Sequence, residues 1–575
     1  MIKKISFLLL LTLVIFSCKK DKKPEQQIAV KETQIVENAM VVSARAEASQ
    51  IGTDIMRQGG NAFDAMVATH FALAVTYPYA GNLGGGGFLV YRLENSITET
   101  LDFREKAPLA STRDMYLDED GNVIENLSTV GAMAVGVPGS VEGILTAHEE
   151  FGNLPLDKIL QPVIELAENG FVVTKKQAER FKKYDSIFKA VNNKTLPFNA
   201  SVKEGDVIKN PNLAETLRRI MNRGFEEFYS GKTADILVNF IEEKGGIVTH
   251  EDLERYESKW RKPLTFDYKD LRVISMAPPS SGGICLGQIL KMLEPYDLSS
   301  YGHNSIKSVQ TFAEAAKRSY ADRSYFLGDP DFVDVPSRYL LSDVYLEQRM
   351  SDFNFNRPTD SIKPGQIEGY NIFSETLPKE SNETTHYSII DPFGNAVSVT
   401  TTLNGAYGSK LYVDELGFFL NNEMDDFSSK PGTPNYYGLV GSEANSIAPE
   451  KRMLSSMTPT IIEKDGELRM ILGSPGGSTI ITTIAQIILN VEEFNMNMQE
   501  AVDQPRFHHQ WLPDHITFEP NKFDQKLLEQ LQKLGYKTVE KNSVITSKVD
   551  AILVRDDGRY EAGADSRGDD TAIGY

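Results

Sequence analysis

The chain is 575 residues long, 41% hydrophobic and 24% charged, with a formal net charge of −20. That composition belongs to a globular protein with ample core, and the length corresponds to roughly three or four average domains or to one large unit. The acidic balance excludes non-specific binding to nucleic acid or anionic membrane surfaces, while leaving room for a local cationic pocket.

At the N-terminus, Lys3-Lys4 precede an apolar run from Ile5 to Ser17 that ends at Cys18 and turns into Lys19-Lys20-Asp21-Lys22-Lys23. The run is too short to span a bilayer, and this order of charge and apolarity reads as a secretory signal. Ile15-Phe16-Ser17-Cys18 resembles a bacterial lipobox. Residues 1–17 are therefore expected to be a lipoprotein signal peptide, Cys18 the acylated residue, and 18–38 a charged, flexible tether. Lys at position 19 directs such a lipoprotein to the outer membrane, giving a periplasmic protein of a Gram-negative bacterium that touches the membrane only through its lipid. Acylation of Cys18 leaves Cys285 as the only thiol, so no intramolecular disulfide is expected.

From Ala39 the pattern becomes globular. Ala39 to Ala44 reads as a strand, followed by a helix through Met56 that stops at Gly59-Gly60. Asn61 is placed to cap the next helix, whose body from Ala62 to Val75 is apolar nearly all round and so is expected to be buried. The run Gly81-Asn82-Leu83-Gly84-Gly85-Gly86-Gly87-Phe88 lacks the Lys-Ser/Thr ending of a P-loop and follows no strand. It reads as close backbone packing rather than a phosphate cradle. An alternating strand and Leu101-Asp102-Phe103-Arg104-Glu105 come next. Residues 150 to 380 read as mostly helical, extended near 262–276, with Tyr320, Tyr325 and neighbouring charges on ordinary helix faces. Asp329 to Pro336 reads as a loop.

About two-thirds of the way along, a polar, turn-rich loop from Ser374 to Asn382 leads into Glu383-Thr384-Thr385-His386-Tyr387-Ser388-Ile389-Ile390-Asp391. With the turn Asp391 to Asn395 and the β run Ala396 to Thr402, this is a hairpin whose first strand begins at a Thr. Such a Thr ordinarily just fills a β position. A backbone cut before Thr384, however, would place a free α-amine, with a reference pKa of about 7.7–8.0, beside its hydroxyl. Nucleophile and general base would then share one residue.

Four further clusters carry possible chemistry. Asn421-Asn422-Glu423-Met424-Asp425-Asp426-Phe427 is either a solvated acidic loop or a site at which Glu423 and Asp426 capture a substrate ammonium. Lys451 to Pro459 contains Ser455-Ser456, which are either turn residues or donors to a substrate carboxylate, with Arg104 as a charge-assisted bidentate partner. Gly473-Ser474-Pro475-Gly476-Gly477-Ser478 separates a strand from an apolar helix. It is either a tight turn or a pair of backbone donors at a helix N-terminus, suited to an oxyanion. The fourth cluster is His508-His509, whose side chains diverge and have no acidic partner at ligand spacing, so no metal is expected. No Gly-x-Ser-x-Gly elbow is present, and the tripeptide Arg567-Gly568-Asp569 is too short to count as an adhesion motif.

Taken in order from Ala39 to Tyr575, these motifs, together with Pro431-Gly432-Thr433-Pro434-Asn435 and Pro505 to Trp511, resemble the γ-glutamyltranspeptidases of the N-terminal-nucleophile hydrolase superfamily. The resemblance implies an α+β fold, a four-layer αββα sandwich formed jointly by two chains after self-cleavage between Glu383 and Thr384. The large chain would be 39–383 after its tether, and the small chain 384–575. It implies Thr384 as the nucleophile, Thr402 as the hydrogen-bond partner of its hydroxyl, and Gly476 and Gly477 as the oxyanion hole. Arg104, Ser455 and Ser456 would hold the glutamyl α-carboxylate; Asn404, Glu423 and Asp426 its α-amine. Tyr436 and Tyr437 fall in a segment similar to the lid loop of the bacterial branch. The implied substrates are glutathione and other γ-glutamyl donors, with water or an amino acid or peptide amine as acceptor; no cofactor is implied.

A zwitterionic glutamyl end needs cationic and hydroxyl donors beside carboxylate acceptors, and both kinds are present. Two alternatives remain. A related acylase of the cephalosporin type would keep Thr384 and the glycines but not the amino-acid pocket. A non-catalytic peptide-binding surface lipoprotein would remain uncut.

Overall fold

A computed structural model describes residues 33–367, 384–430, 442–540 and 547–575. Within them, two antiparallel seven-stranded sheets stack face to face. The first runs Thr571–Gly574, Met40–Ser43, Thr384–Ile390 (β1), Ala396–Thr402 (β2), Gly86–Arg92, Thr98–Phe103, Lys259–Arg261. The second runs Ile35–Val36, Tyr560–Ala564, Asp550–Val554, Glu467–Gly473 (β3), Thr460–Lys464, Leu271–Ser275, Leu264–Tyr268. Each sheet mixes strands from both sides of Thr384, so a length worth several domains makes one sandwich.

Successive strand residues point to opposite faces, and here both faces are covered. Val41, Leu89, Tyr91, Tyr387, Ile389, Val397 and Val399 enter the core under the first helical layer. Met40, Val42, Phe88, Val90 and Ile390 enter the core shared with the second sheet. That first layer contains Ala46–Arg57 and α1 (Ala62–Thr76), the latter buried along its whole length as its all-round apolarity predicts. Asn61 caps α1: its side chain accepts from Phe63 and Asp64 amides while Asp64 accepts from the Asn61 amide, a reciprocal box. On the other side, helix Gly282–Leu293 lies on the second sheet with α2 (Ile306–Phe326) packed against it and α3 (Thr479–Glu492) beside it. Layers of helix, sheet, sheet and helix make this the expected αββα sandwich.

The glycine run behaves as close packing. A Cβ at Gly85 would lie 2.0 Å from the Thr402 carbonyl oxygen, and one at Gly87 would lie 2.4 Å from that of Thr400. Backbone contact this tight lets Gly86–Arg92 lie against β2. The reading of Tyr320 and its neighbours as ordinary helix faces is overturned. On α2, Glu314, Lys317, Arg318, Tyr320, Asp322 and Arg323 are all buried. Their charges are paired: Arg318 with Glu314 on the same helix and with Asp352, Lys317 with Asp514 and Asp322 with Arg349. Buried charge of this kind persists only when paired. Among the described residues no helix is long and apolar enough to cross a membrane.

Candidate active site

Thr384 opens β1 and pairs in register with Thr402, the last residue of β2. The alternation Thr384, His386, Ser388 on one strand and Ser398, Thr400, Thr402 on the other sends polar side chains toward the second sheet, where apolar ones would be usual. Hydrogen bonds stitch that seam. His386 bonds Thr400 Oγ1 through Nδ1 at 2.8 Å and Ser388 Oγ through Nε2 at 3.1 Å, Ser388 donates to the Asp550 carbonyl, and Ser398 donates to that of Leu472. Burial pushes His386 down to about 3, so its ring stays neutral at physiological pH and serves the seam rather than proton transfer. Gly473, which ends β3, makes room for it: a Cβ there would sit 2.2 Å from His386 Cε1. Gly473→Ala is expected to destabilise the fold by about 1–3 kcal/mol, read as a lowered melting temperature by calorimetry. An unshifted melt would mean the seam yields freely.

At the end of this seam one small cavity is lined by Arg104, Thr384, Thr402, Asn404, Glu423, Asp426, Ser455, Ser456 and Gly477, with Met457 and Ile480. Residues separated by as much as 376 positions along the chain thus converge on Thr384 (Arg104 to Ile480). Gly476 adjoins it, with φ of 131° against 55° at Gly477, a left-handed pair that glycine adopts readily. Neither amide has a hydrogen-bond partner among the described residues, and both precede the N-terminus of α3. Asn404, itself left-handed at φ 70°, donates its backbone amide to Thr402 Oγ1 at 2.7 Å and its side chain to the Asn422 carbonyl at 2.9 Å. Ser455 is held by backbone pairing with the segment at Ser280, its amide bonded to the Pro279 carbonyl.

The electrostatics centre on Arg104. Its guanidinium pairs directly with Glu423 through Nη1 and Asp426 through Nη2, and Glu105 lies 3.6 Å away. Burial works against the Arg104 charge, but Glu423 and Asp426 outweigh it and hold the residue firmly cationic. Glu105 is the odd carboxyl: neither of its oxygens has a hydrogen-bond partner, and burial pushes it up to about 8 against the pull of Arg104. The groups expected to bind opposite ends of a zwitterion are therefore paired with one another, and an entering amino acid would exchange one set of ion pairs for another. Chemically, the small cavity and its rim bring together a hydroxyl, two backbone donors, a cation and two carboxylates.

A family model described as gamma-glutamyltranspeptidase matches residues 48–575 of the chain. The chain belongs to the γ-glutamyltranspeptidase family. It is 44% identical over 543 residues to the glutathione hydrolase proenzyme of Escherichia coli (strain K12), covering 93% of this chain and 92% of that protein. The solved γ-glutamyltranspeptidase of Helicobacter pylori is 41% identical, with a TM-score of 0.57, over 60% of this chain and all of that one (100%). The cephalosporin acylase of Bacillus halodurans, 24% identical, superposes with a TM-score of 0.82 over 98% of this chain and 99% of its own, which establishes a common fold.

Several supporting residues were given no such role in the sequence analysis. Asn82 donates to the Thr402 carbonyl and to Thr401 Oγ1, bracing the end of β2. Asn421 accepts the amides of Gly136 and Glu423 and so fixes the acidic turn. Asp425 turns away to accept from Ser128. Arg323 donates to Ser456 Oγ, and Tyr320 to the Ser478 carbonyl. A signal existed in the unusual density of charge and aromatic residues on α2, but solvent-facing helices share that composition. His508 and His509 are structural: His508 bonds Thr482 and Gln510, and His509 pairs with Asp514. No group of residues suited to a metal occurs among the described residues. Arg567 is ion-paired with Glu519 and Asp565, so the tripeptide it opens is part of the scaffold. Cys285 is buried within its helix. Cys18, Glu383, Tyr436 and Tyr437 lie outside the described residues.

Proposed function

We infer that the protein is a glutathione hydrolase and γ-glutamyltransferase that acts through Thr384 once the Glu383–Thr384 bond has been cut. The observation that carries this reading is the single cavity uniting Thr384 with Gly477 and with both charge types that a glutamyl α-carbon requires. In the proposed cycle the freed α-amine takes the proton from Thr384 Oγ as the oxygen attacks the γ-carbonyl. The resulting oxyanion accepts from the Gly476 and Gly477 amides. Collapse breaks the γ-amide bond, the leaving amine takes the proton back, and a glutamyl ester on Thr384 remains. Water or an acceptor amine then attacks that ester by the same steps in reverse. Thr402, whose Oγ already accepts from Asn404, orients the nucleophile. Arg104, Ser455 and Ser456 receive the α-carboxylate, while Asn404, Glu423 and Asp426 receive the α-amine.

Cleavage would divide the chain into a large subunit ending at Glu383 and a small one of 192 residues, Thr384 to Tyr575. That one whole chain of the solved Helicobacter pylori structure matches only 60% of this chain is in keeping with a two-chain mature enzyme. We also propose Cys18 as a lipid anchor that holds the enzyme in the periplasm at the outer membrane, and Tyr436 and Tyr437 as lid residues. The acylase alternative is disfavoured by the retained Arg104–Glu423–Asp426 cluster, whose charges a plain acyl group has no groups to engage. Mass-spectrometric identification of the first residue of the smaller fragment, with γ-glutamyl p-nitroanilide turnover by the same sample, tests the reading. A fragment starting anywhere but Thr384, or an active uncut chain, refutes it.

A further inference from the structure

Two residues of α2, Tyr320 and Arg323, reach the two opposite functional walls of the cavity from behind. Tyr320 donates its hydroxyl to the carbonyl of Ser478, the residue directly after Gly477. Arg323 donates through Nε to Ser281 Oγ at 2.8 Å and through Nη2 to Ser456 Oγ at 2.9 Å. Ser281 in turn donates its hydroxyl and its amide to the Ser455 carbonyl, each at 2.7 Å. One guanidinium therefore grips both serines of the Ser455-Ser456 pair.

Residues three apart share a helix face and are separated by about 4.5 Å along the axis. That separation is rigid here. Asp322, between them in sequence, accepts from Gln288, Tyr345 and the Gly365 amide, which pins α2 on its other side. The glycine turn is held a second time by Ser478 Oγ donating to Gln510. A guanidinium can only donate, so Ser456 Oγ accepts from Arg323 and is fixed in place by that charge-assisted bond.

Building on the function argued above, we propose that Tyr320 and Arg323 are positioning residues which set the distance between the oxyanion donors and the serines that hold the α-carboxylate. In this role α2 acts as a gauge of donor length. It matches the two-methylene spacing of a γ-glutamyl group and disfavours a β-aspartyl group, which is one methylene shorter.

The test compares kcat and KM for γ-glutamyl and β-aspartyl p-nitroanilides in the full processed enzyme and in Tyr320→Phe, Arg323→Met and Arg323→Lys. Tyr320→Phe is expected to lower kcat for the glutamyl donor about tenfold, with KM little changed, because misplaced donors act on the transition state. Arg323→Met is expected to raise KM about tenfold or more, with kcat largely kept, through loss of charge-assisted hydrogen bonds. Both should narrow the glutamyl-to-aspartyl preference at least about threefold, the scale of less than one methylene of discrimination. Should Arg323→Met not process, Arg323→Lys carries the same readout, since it keeps charge and reach but loses the fork. An unchanged preference in variants with altered kcat or KM overturns the gauge, as does a common fall in activity that tracks loss of folded protein. A wild-type protein that cuts at Thr384 yet turns over no γ-glutamyl donor overturns the underlying function instead.

Discussion

Thr384→Ala is expected to remain a single uncut chain and to lose γ-glutamyl turnover on the order of 10⁶-fold, the scale seen when an enzyme loses its covalent nucleophile. The loss should be one of chemistry rather than of structure. β1 is paired on both sides, with β2 in register from Thr384 to Ile390 and with Met40–Ser43 from Tyr387 onward, and none of those backbone bonds uses the Thr384 hydroxyl. The alanine variant should therefore melt like the wild type while running as one band on a denaturing gel. Thr384→Ser, which keeps a hydroxyl, should still process, more slowly. An alanine variant that cuts itself at the same bond would remove Thr384 from the mechanism.

Arg104→Ala should have the second largest effect. Removing one member of a buried ion-pair cluster costs about 3–5 kcal/mol. The penalty is steep because Glu423 and Glu105 are buried in the same place and would lose their shared cation. Separately, loss of the cation that would receive the substrate carboxylate should lower kcat/KM for γ-glutamyl p-nitroanilide on the order of 10²–10³-fold, carried mainly by KM. Asp426→Ala, at the more open edge of the cluster where its side chain is 11% exposed, should raise KM less, on the order of tenfold. Chain cleavage should proceed in both, since neither side chain supplies the attacking group. Uncut protein would assign these residues to folding rather than to substrate binding, and unchanged KM would remove them from the pocket.

The features legible in the chain were those whose physics is local. Two β-rich runs around the turn Asp391 to Asn395 mark the Thr384–Thr402 hairpin, Asn61 before an apolar run marks the start of α1, and consecutive glycines before an apolar helix mark the turn at Gly476-Gly477. Each depends on neighbours within a few positions, so the order of residues is enough to find it. For Arg104, Glu423 and Ser455 the residues alone left a pocket and a surface both open, because nothing within ten residues of any of them distinguishes the two, and only resemblance chose between them.

What tertiary structure alone decided was burial and partnership. Arg323 and Tyr320 sit on a helix whose charged, aromatic sequence is equally at home in solvent. Only packing against Gly282–Leu293 and the segments at Ser456 and Ser478 turns those side chains inward. The direct pairing of Arg104 with Glu423 and Asp426 is likewise a product of folding, since opposite charges more than 300 positions apart meet only when the acidic turn docks beneath the first sheet. Sequence by itself determined where strands, caps and tight turns form, because backbone geometry is set by adjacent residues. The sandwich determined which charges are stripped of water, and a charge stripped of water must take whatever partner the fold brings to it.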